Sequence, residues 1–362
     1  MALTDIDGQR LGDSVSDKLG DRNLIINGAM QVAQRGTSST SVGLGTVDRW
    51  HSGGAGGTIT QSQEDVSSSD SPYDEGFRKF FRQTNTAVAS ATSHYRQIET
   101  KLEAQDIANC GWNYTSTSSY VTVSAWLRSS VAGTYSYQLR TADGTAQSYV
   151  GTVTLTANTW TKVTQVYPGN TNLVFDNNND LGLRVVWFPY LGSDYTTGSP
   201  TLNAWHAFSG SNMTSDDTAG WGTTAGATFD ITGVQLEVGN TATPFQHESY
   251  GQTLAKCQRY YYKFRSSGEL VNTARSAAGA VYWPVTVPTP MRISAPTIVG
   301  TTGLRTQSSV GGGGVTTNAW ISASQFDTGK GELRFTSSIT GSANTRLTVH
   351  EDANEIQLDA EI

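Results

Sequence analysis

Hydrophobic and polar residues alternate along several stretches of the chain with the period of two that is typical of a β-strand with one buried face. The clearest stretch is YVTVSAWL, residues 120–127. Its buried face would consist of Val121, Val123, Ala125 and Leu127. We therefore predict a half-buried strand here.

The next stretch, GTYSYQLR at 133–140, has the same alternation, with Tyr135, Tyr137 and Leu139 on one face. Because only the short SSVAG sequence separates it from the preceding strand, we predict a β-hairpin between the two. Further strands are expected in HYRQIET, TWTKVTQVY and LGLRVVWFPY, at 94–100, 159–167 and 181–190. In the last of these, one face holds Leu181, Leu183, Val185 and Trp187.

The pattern in ATFDITGVQLEV, residues 227–238, changes parity in the middle of the strand. Phe229 and Ile231 are apolar at odd positions, and the apolar positions that follow are even: Val234, Leu236 and Val238. A β-bulge at Thr232-Gly233 would produce this change, because one extra residue shifts the alternation by one. Gln235 and Glu237 should then lie on the face opposite the core.

Other stretches lack this alternation. The polar, acidic stretch 61–76 is expected to form a loop. In SYGQTLAKCQRYY, Leu254, Cys257 and Tyr261 fall at helical spacing, which predicts a short helix. After residue 264, short alternating segments such as AVYWPVTVP and GELRFTS predict a second group of strands, and VGGGGVTTN at 310–318 predicts a flexible turn.

Together these elements predict an all-β protein: a jelly-roll β-sandwich, followed by a short helix and a smaller C-terminal β domain. The expected parts are a polar N-terminal anchoring arm at 1–22, the jelly roll at 23–247, a helical and tyrosine-rich junction at 248–264, and the C-terminal domain at 265–362. The last part, at roughly 100 residues, would have a marginal core, which trimerisation would help to stabilise.

Composition supports this fold class and narrows the function. The chain has 362 residues, of which only 15% are charged, and it contains 38 Gly, nine Trp and fifteen Tyr. Many Gly residues suit a protein with many turns, and the aromatic residues supply area to bury. The formal net charge of −7 argues against a general nucleic-acid binder, which usually has a basic surface.

Two cysteines, Cys110 and Cys257, are too few and too far apart for a disulfide framework, and we expect buried thiols. The N-terminal sequence has no apolar segment of the secretory type, and no run of 18 apolar residues predicts a membrane span. We therefore expect a soluble protein made in a cytoplasm.

Several segments resemble a family of tailed-phage virion proteins, of the fibre-like kind common in marine phages. The resemblance rests on NLIINGAMQVAQRGTS, VDRW, the stretch FDITGVQLEVGNTATPFQHESYGQTLAKCQRYYYKF, and the later WPVTVPTPMRISAPTIV and LDAEI. Residues 23–247 are also similar to the galactose-binding-like jelly roll of carbohydrate-binding modules. The resemblance implies a structural subunit of the virion, trimeric and adhesive. Its arm would contact other virion proteins, and its jelly roll would bind a host surface polysaccharide or receptor.

Sugar binding needs exposed aromatic planes and hydrogen-bonding groups at their rim. The candidate glycan contacts are aromatic residues in expected loops: Trp112, Tyr114, Tyr190, Tyr195, Trp205 and Trp221. The longest such loop also contains His206, Asp216 and Asp217. The competing interpretation is that these rings hold the loops onto their own domain.

A structural Ca²⁺ is common in jelly rolls of the carbohydrate-binding type, and Asp48, Asp230 and Glu237 are candidate ligands by position. No other cofactor is expected, and no acidic loop has EF-hand spacing.

Catalysis is not expected. A glycosidase needs two carboxylates facing each other across a cleft, and here the carboxylates, such as Asp65, Asp70, Asp74 and Glu75, are scattered. GxSxG and HExxH motifs are absent. Two alternatives to an adhesive fibre stay open: a head, neck or tail decoration protein with a purely structural role, and a polysaccharide depolymerase.

The stretch CQRYYYKF is expected to form an interface between domains or subunits, because tyrosine buries a large area while its hydroxyl reaches a polar partner. The residues assigned to it are Cys257, Arg259, Tyr260, Tyr261, Tyr262 and Phe264. A ligand platform is the alternative.

Overall fold

A computed structural model describes residues 22–89, 91–214, 219–264, 274–275, 280–299, 304–308, 316–317, 320–336, 347–351 and 356–362. The chain divides into two compact units, Met1–Glu248 and Ser249–Ile362. Of the expected arm at 1–22, only Arg22 is among the described residues, and the turn at 310–318 is described only at 316–317.

The first unit is a β-sandwich of two six-stranded sheets. In chain order, its strands are β1 (Ser38–Ser39), β2 (His51–Ala55), β3 (Thr58–Asp65), β4 (Lys79–Ala87), β5 (Tyr95–Glu103), β6 (Tyr120–Ser129), β7 (Gly133–Thr141), β8 (Gln147–Leu155), β9 (Thr161–Pro168), β10 (Leu181–Leu191), β11 (Trp205–Ala207) and β12 (Thr228–Val238). The first sheet has the order β1-β3-β4-β12-β6-β9, and the second has the order β11-β8-β7-β10-β5-β2. Helices α1 (Ser71–Asp74) and α2 (Ala104–Ala108) and a 3₁₀ turn (Ser193–Tyr195) lie in the connections.

All the pairings in these two sheets are antiparallel, and the main core lies between the sheets. The predicted inward residues of β6 and β7 are in this core, and so are Leu183, Val185 and Trp187 of β10, whereas Leu181 is only partly buried and lies outside it. The core also contains Trp50, whose ring centroid lies 5.9 Å from that of Trp187. The predicted jelly-roll β-sandwich is therefore confirmed. Within the described residues, no helix is long and apolar enough to cross a membrane.

The predicted bulge in β12 is confirmed. The register against β6 shifts between Thr232 and Gln235, and Gly233 has a φ of +61°, a left-handed conformation that favours glycine. A side chain there would also meet the ring of Phe77, because an added Cβ would lie 2.6 Å from a ring carbon. Val234 returns to the core after the shift, whereas Val238 at the end of the strand is exposed.

The predicted hairpin between residues 120–127 and 133–140 is wrong. Strand β6 pairs with β9 and β12 in the first sheet, and β7 pairs with β8 and β10 in the second. The connection between them crosses from one sheet to the other. Alternation indicates which side chains of a strand are buried but not which strands pair. In a sandwich, every second residue faces the core in both sheets, so the pattern is the same whichever sheet the strand joins.

The loop predicted at 61–76 is also wrong near both ends, because β3 extends to Asp65 and α1 lies at 71–74. Two polar residues of β3, Gln61 and Ser62, are buried, and their side chains are hydrogen-bonded. Gln61 is fully buried, and its Nε2 donates to the carbonyls of Ser41 and Gly43 at 2.6 and 3.2 Å. Its Oε1 accepts from the Thr46 hydroxyl at 3.1 Å.

The second unit begins with helix α3 (Tyr250–Gln258), as predicted. Its N-terminus is a capping box: the Ser249 hydroxyl accepts from the Gln252 amide N at 3.3 Å, and Gln252 Oε1 accepts from the Ser249 amide N at 3.0 Å. Strands follow in chain order: β13 (Tyr261–Phe264), β14 (Ala274–Arg275), β15 (Ala280–Thr286), β16 (Thr297–Val299), β17 (Leu304–Ser308), β18 (Thr316–Thr317), β19 (Trp320–Ser324), β20 (Lys330–Thr336), β21 (Leu347–Glu351) and β22 (Ile356–Asp359).

These strands form three small sheets, with the orders β13-β22-β16, β14-β15-β20-β19 and β18-β17-β21. A modest apolar cluster lies within this unit, with Met291, Phe326, Leu333 and Leu358 almost fully buried. The predicted short helix followed by a smaller β unit is thus confirmed. The helix and the tyrosine strand β13 belong to this second unit.

Candidate functional site

The chain that follows β12 folds back along the outer face of the first sheet, the face opposite the core. Glu237, fully buried, accepts from the amide N of Thr243 at 2.9 Å and from its hydroxyl at 2.6 Å. Gln235 Oε1 accepts from the amide N of Gln246 at 2.8 Å. The prediction that Gln235 and Glu237 point away from the core is confirmed, and these two side chains fix the segment 239–247 on the sheet.

An open groove of about 610 Å³ lies beside this segment. Its lining residues come from three separate parts of the first unit: Glu75, Lys162, Thr164, Ala242, Thr243, Pro244, Phe245 and His247. The volume lies within the range of small-ligand sites in proteins.

One end of the groove is charged. Lys162 Nζ lies 2.9 Å from both carboxylate oxygens of Glu75, and Trp126 Nε1 donates to Glu75 Oε2 at 3.1 Å. Both charged side chains are more than one third exposed. A carboxylate has about four lone-pair positions and an ammonium three hydrogens, so each group retains capacity for a ligand hydroxyl.

The wall of the groove is aromatic. Phe245 packs edge-on against Phe77, with ring centroids 4.8 Å apart, and His247 lies 4.9 Å from Phe245. The Nε2 of His247 donates to the carbonyl of Glu75 at 2.7 Å, so the wall is connected to the charged end. Gly76 permits this approach: its φ is +95°, and an added Cβ would lie 3.1 Å from the His247 ring.

This combination suits a saccharide. The planes of Phe245 and His247 can cover the apolar face of a sugar ring, and Glu75, Lys162 and Thr164 can bond to its hydroxyls. Of the eight described residues that line the groove, Glu75 alone has a carboxyl group. The groove therefore supplies binding groups and lacks the pair of carboxylates that glycoside hydrolysis requires.

The sequence analysis missed this groove. Glu75 was considered only as one scattered carboxylate, and Phe245 and His247 were not considered as a pair. The available signal was local: the PFQH sequence places two rings on one side of an extended segment directly after a strand with an outward Glu. Their convergence with Lys162 is non-local and has no sequence signature.

Two of the six predicted glycan contacts are buried. Trp112 and Trp221 lie in the main core of the first unit, and their rings present no accessible face to a ligand. For these two residues, the competing interpretation, in which the ring holds a loop in place, describes the structure.

The other four, Tyr114, Tyr190, Tyr195 and Trp205, are partly exposed, and none of them lines the groove. Tyr195 packs edge-on against Tyr95 at 5.2 Å and donates to the carbonyl of Ser93 at 2.8 Å. Trp205 Nε1 donates to the carbonyl of Pro168 at 2.6 Å. Their role as glycan contacts stays a prediction, and Asp216 and Asp217 lie outside the described residues.

The proposed calcium ligands do not come together. Asp48 accepts from the amide N of Gln34 at 3.0 Å, Asp230 binds two arginines, and Glu237 binds Thr243. Among the described residues, no three acidic, His or Cys side chains form a group that could hold a metal ion. The Ca²⁺ hypothesis for Asp48, Asp230 and Glu237 is corrected accordingly: these carboxylates are buried because protein donors bind them.

The residues predicted to form an interface divide into two sets. Cys257, Tyr260 and Tyr261 are almost fully buried within the chain itself, so they are not available to a second subunit. Arg259, Tyr262 and Phe264 are partly exposed, and the last two rings stack with centroids 5.4 Å apart. An interface role for these three stays a prediction. Cys110 and Cys257 are not joined in a disulfide, and Cys110 is only partly buried.

No family model matches the sequence, and no curated protein matches it. Similar solved structures include the enzymatically active domain of tailspike protein 4 of bacteriophage CBA120, at 10% identity and a TM-score of 0.33. The match covers 60% of this chain and 21% of the tailspike domain, so the chain spans about a fifth of that protein's length.

Two further similar structures cover nearly all of their own chains. A family 11 carbohydrate-binding module from Clostridium thermocellum, solved with a mixed-linked tetrasaccharide, has 10% identity and a TM-score of 0.27, and covers 56% of this chain and 95% of that one. A cyclase from Fischerella sp. has 8% identity and a TM-score of 0.34, and covers 61% of this chain and 99% of that one. TM-scores this low carry no argument about function.

Proposed function

We propose that this protein binds a host surface glycan without catalysis, through the groove between the segment 242–247 and strand β9, and that it does so as an adhesive fibre subunit of a tailed-phage particle. The observation that carries the binding proposal is the groove itself, with an aromatic wall from Phe245 and His247 and a charged end from Glu75 and Lys162.

The chemistry of the groove supports binding rather than bond cleavage. Glu75 is held as a carboxylate acceptor by Lys162 and by the indole N–H of Trp126. Glycoside hydrolysis needs a second carboxyl group across the cleft, and no other described residue that lines the groove supplies one.

The virion role is supported by the sequence segments that resemble fibre-like phage proteins, above all the stretch from FDITGVQLEV to RYYYKF. A single shallow groove gives weak affinity, and a trimer that presents three grooves together would raise avidity without any new contact. We therefore propose a homotrimer on the particle, attached to other virion proteins through the N-terminal arm.

A glycan array probed with the full chain tests the binding proposal. We expect a defined set of glycans to bind, with binding reduced about tenfold in Glu75→Gln and in Lys162→Gln, since each removes a charged hydrogen-bonding group worth about 1.5 kcal/mol. Lys79→Gln is the matched control, because Lys79 forms an exposed ion pair with Asp65 at 2.5 Å and does not line the groove.

Three outcomes would contradict the proposal. Uniform absence of binding would favour a purely structural decoration protein. Glycans shortened after incubation would favour a depolymerase. A clean monomer at high concentration, measured by mass in solution, would count against the trimer while leaving the groove intact.

A further inference from the structure

A row of polar side chains crosses the outer face of the second sheet. Consecutive strands pair His206 with Ser148, Ser148 with Arg140, Arg140 with Arg184, and Arg184 with Lys101. Directly paired residues of neighbouring strands lie on the same face, so these five side chains form one line across five strands. We call this line the arginine row.

The two arginines of the row differ in their partners. Arg184 Nη1 lies 3.1 Å from both carboxylate oxygens of Glu99, which is almost fully buried. Arg140 has no such partner: within the described part of the chain, its guanidinium makes neither a hydrogen bond nor an ion pair. Arg184 forms an ion pair with Glu99, whereas Arg140, which is also influenced by the Glu99 charge, has no carboxylate within ion-pair distance among the described residues.

The surroundings of Arg140 make an unmatched charge costly. The Phe208 ring lies over the guanidinium, at 4.3 Å from its central carbon. Burial, and secondly the like charge of Arg184, lowers the pKa of Arg140 from 12.5 to about 10. A bound anion would offset both effects, because it would supply the acceptor and the opposite charge.

Two further polar atoms on the same face as Arg140 lack partners among the described residues. Gln138 is almost fully buried, two residues before Arg140, and donates through Nε2 to the Ser148 hydroxyl. Its Oε1 has no hydrogen-bond partner among the described residues, and the same holds for Nε2 of His206, which lies two strands from Arg140 in the row. Buried polar atoms are nearly always paired in native proteins, so the partly exposed His206 is a group that a ligand can complete.

We propose that the arginine row is a second binding site, separate from the groove, and that it binds the carboxylate of an acidic saccharide through Arg140. The planar guanidinium forms two parallel hydrogen bonds with a planar carboxylate. The imidazole of His206, partly exposed on the same row, bonds to a hydroxyl of the same saccharide.

The ligand class follows from charge and geometry. One unmatched guanidinium balances one negative charge, which a uronate carries and which a phosphate near neutral pH exceeds. An uncharged sugar would leave Arg140 unmatched.

Isothermal titration of the full chain tests the site with three probes: a short oligogalacturonate, a neutral galactose oligomer of the same length, and inorganic phosphate. We expect the oligogalacturonate alone to bind measurably at this site. Arg140→Gln should weaken that binding at least tenfold, the loss typical of a charge-assisted pair. Arg140→Lys, which keeps the charge and loses the planar fork, should weaken it less. Lys79→Gln, which removes one exposed charge outside the row, should leave it unchanged.

Each other outcome overturns the proposal. No heat with oligogalacturonate at millimolar concentration, or equal affinity in Arg140→Gln, excludes the site. Arg140-dependent binding of phosphate without oligogalacturonate binding would refute the ligand class. Oligogalacturonate binding that depends on Lys162 and not on Arg140 would place the ligand in the groove, and a neutral-glycan site in the groove could still exist if the arginine row failed.

Discussion

On the outer face of each sheet, two arginines lie near one buried carboxylate. The two faces differ in how many of these arginines bind the carboxylate. On the first sheet, Arg82 binds Asp230 through Nε and Nη2 at 2.7 and 2.9 Å, and Arg128 binds it through Nε at 2.8 Å. On the second sheet, Glu99 binds Arg184, and Arg140 is left without an acceptor among the described residues.

The charged side chains of the first face stabilise the fold, whereas the guanidinium of Arg140 on the second face is available to a ligand. Asp230 binds both arginines, and Arg128 also pairs with Asp70 at 3.3 Å and stacks over the Trp160 ring at 4.5 Å. Such a network is consistent with a rigid face. The arginine row leaves one guanidinium unsatisfied, so its charge costs the folded protein stability until an anion binds.

Among the substitutions that test this difference, Asp230→Asn should have the largest effect. It removes the shared carboxylate, so the partly buried Arg82 loses its two-pronged partner and Arg128 keeps the pair with Asp70. We expect the free energy of unfolding to fall by about 3 kcal/mol, in line with other broken buried ion pairs. Urea unfolding measures this.

Asp65→Asn is the control for that substitution, since Asp65 is mostly exposed and Lys79 is its ion-pair partner among the described residues. It should change the free energy of unfolding by about 0.5 kcal/mol or less. Equal losses in the two variants would show that the Asp230 network is no more important than a surface pair.

A second prediction concerns the core between the two faces. Burial raises the pKa of Tyr137 from 10.0 to about 12. The unfolded chain loses this proton first, so the folded state binds more protons between pH 10 and pH 12, and the free energy of unfolding must fall as pH rises through that window. The slope for one tyrosine is about 1.4 kcal/mol per pH unit.

Tyr137→Phe should reduce that alkaline loss. The variant should be about 1 kcal/mol less stable than the parent near pH 8, because the hydroxyl donates to Gln165 at 2.9 Å. The deficit should shrink above pH 10. A deficit that stays constant up to pH 11, in urea titrations at each pH, would contradict the assigned shift.

A third prediction compares the stability effects of replacing one arginine on each face, Arg128 and Arg140. Arg128→Gln removes one of the donors to Asp230, and we expect a loss of about 1 to 2 kcal/mol in the free energy of unfolding. The loss should appear in thermal and urea unfolding alike, and a stability equal to that of the parent would remove the distinction between the two faces.

The smallest effect belongs to Arg140→Gln. Because Arg140 is partly desolvated and has no acceptor, losing its charge should leave the free energy of unfolding within about 0.5 kcal/mol of the parent, or raise it. A loss as large as that of Arg128→Gln would mean that Arg140 supports the fold, which would weaken the case for a ligand site.

The sequence predicted well which strand residues of β6, β7 and β12 are buried. The inward positions of β6 and β7, and the parity change in β12, follow from period-two alternation and from one glycine, which are local properties. Strand pairing was not predictable in the same way, because β6 and β7 are neighbours in sequence and lie in different sheets.

The candidate site was largely beyond sequence reasoning for a related reason. Aromatic residues were selected because they fell in expected loops, but Trp112 and Trp221 are core residues. Glu75, Lys162 and His247 are far apart in the chain and look like ordinary surface residues until the sheet brings them together. No local sequence feature distinguishes Arg140 from Arg184 either. The two differ because the carboxylate of Glu99 lies within hydrogen-bonding distance of Arg184 and not of Arg140.

Strand β12 lies between β4 and β6 in the first sheet, although it is the last strand of its unit in the chain. During synthesis, the ribosome therefore releases the two flanking parts of this sheet, β1-β3-β4 and β6-β9, long before the strand that joins them. Until Val238 has emerged, both parts have an unpaired edge, and such edges are prone to pair with other chains. The nascent protein thus has its greatest need of a chaperone just before the sandwich closes, and a chain truncated ahead of Thr228 should aggregate rather than form half a sandwich.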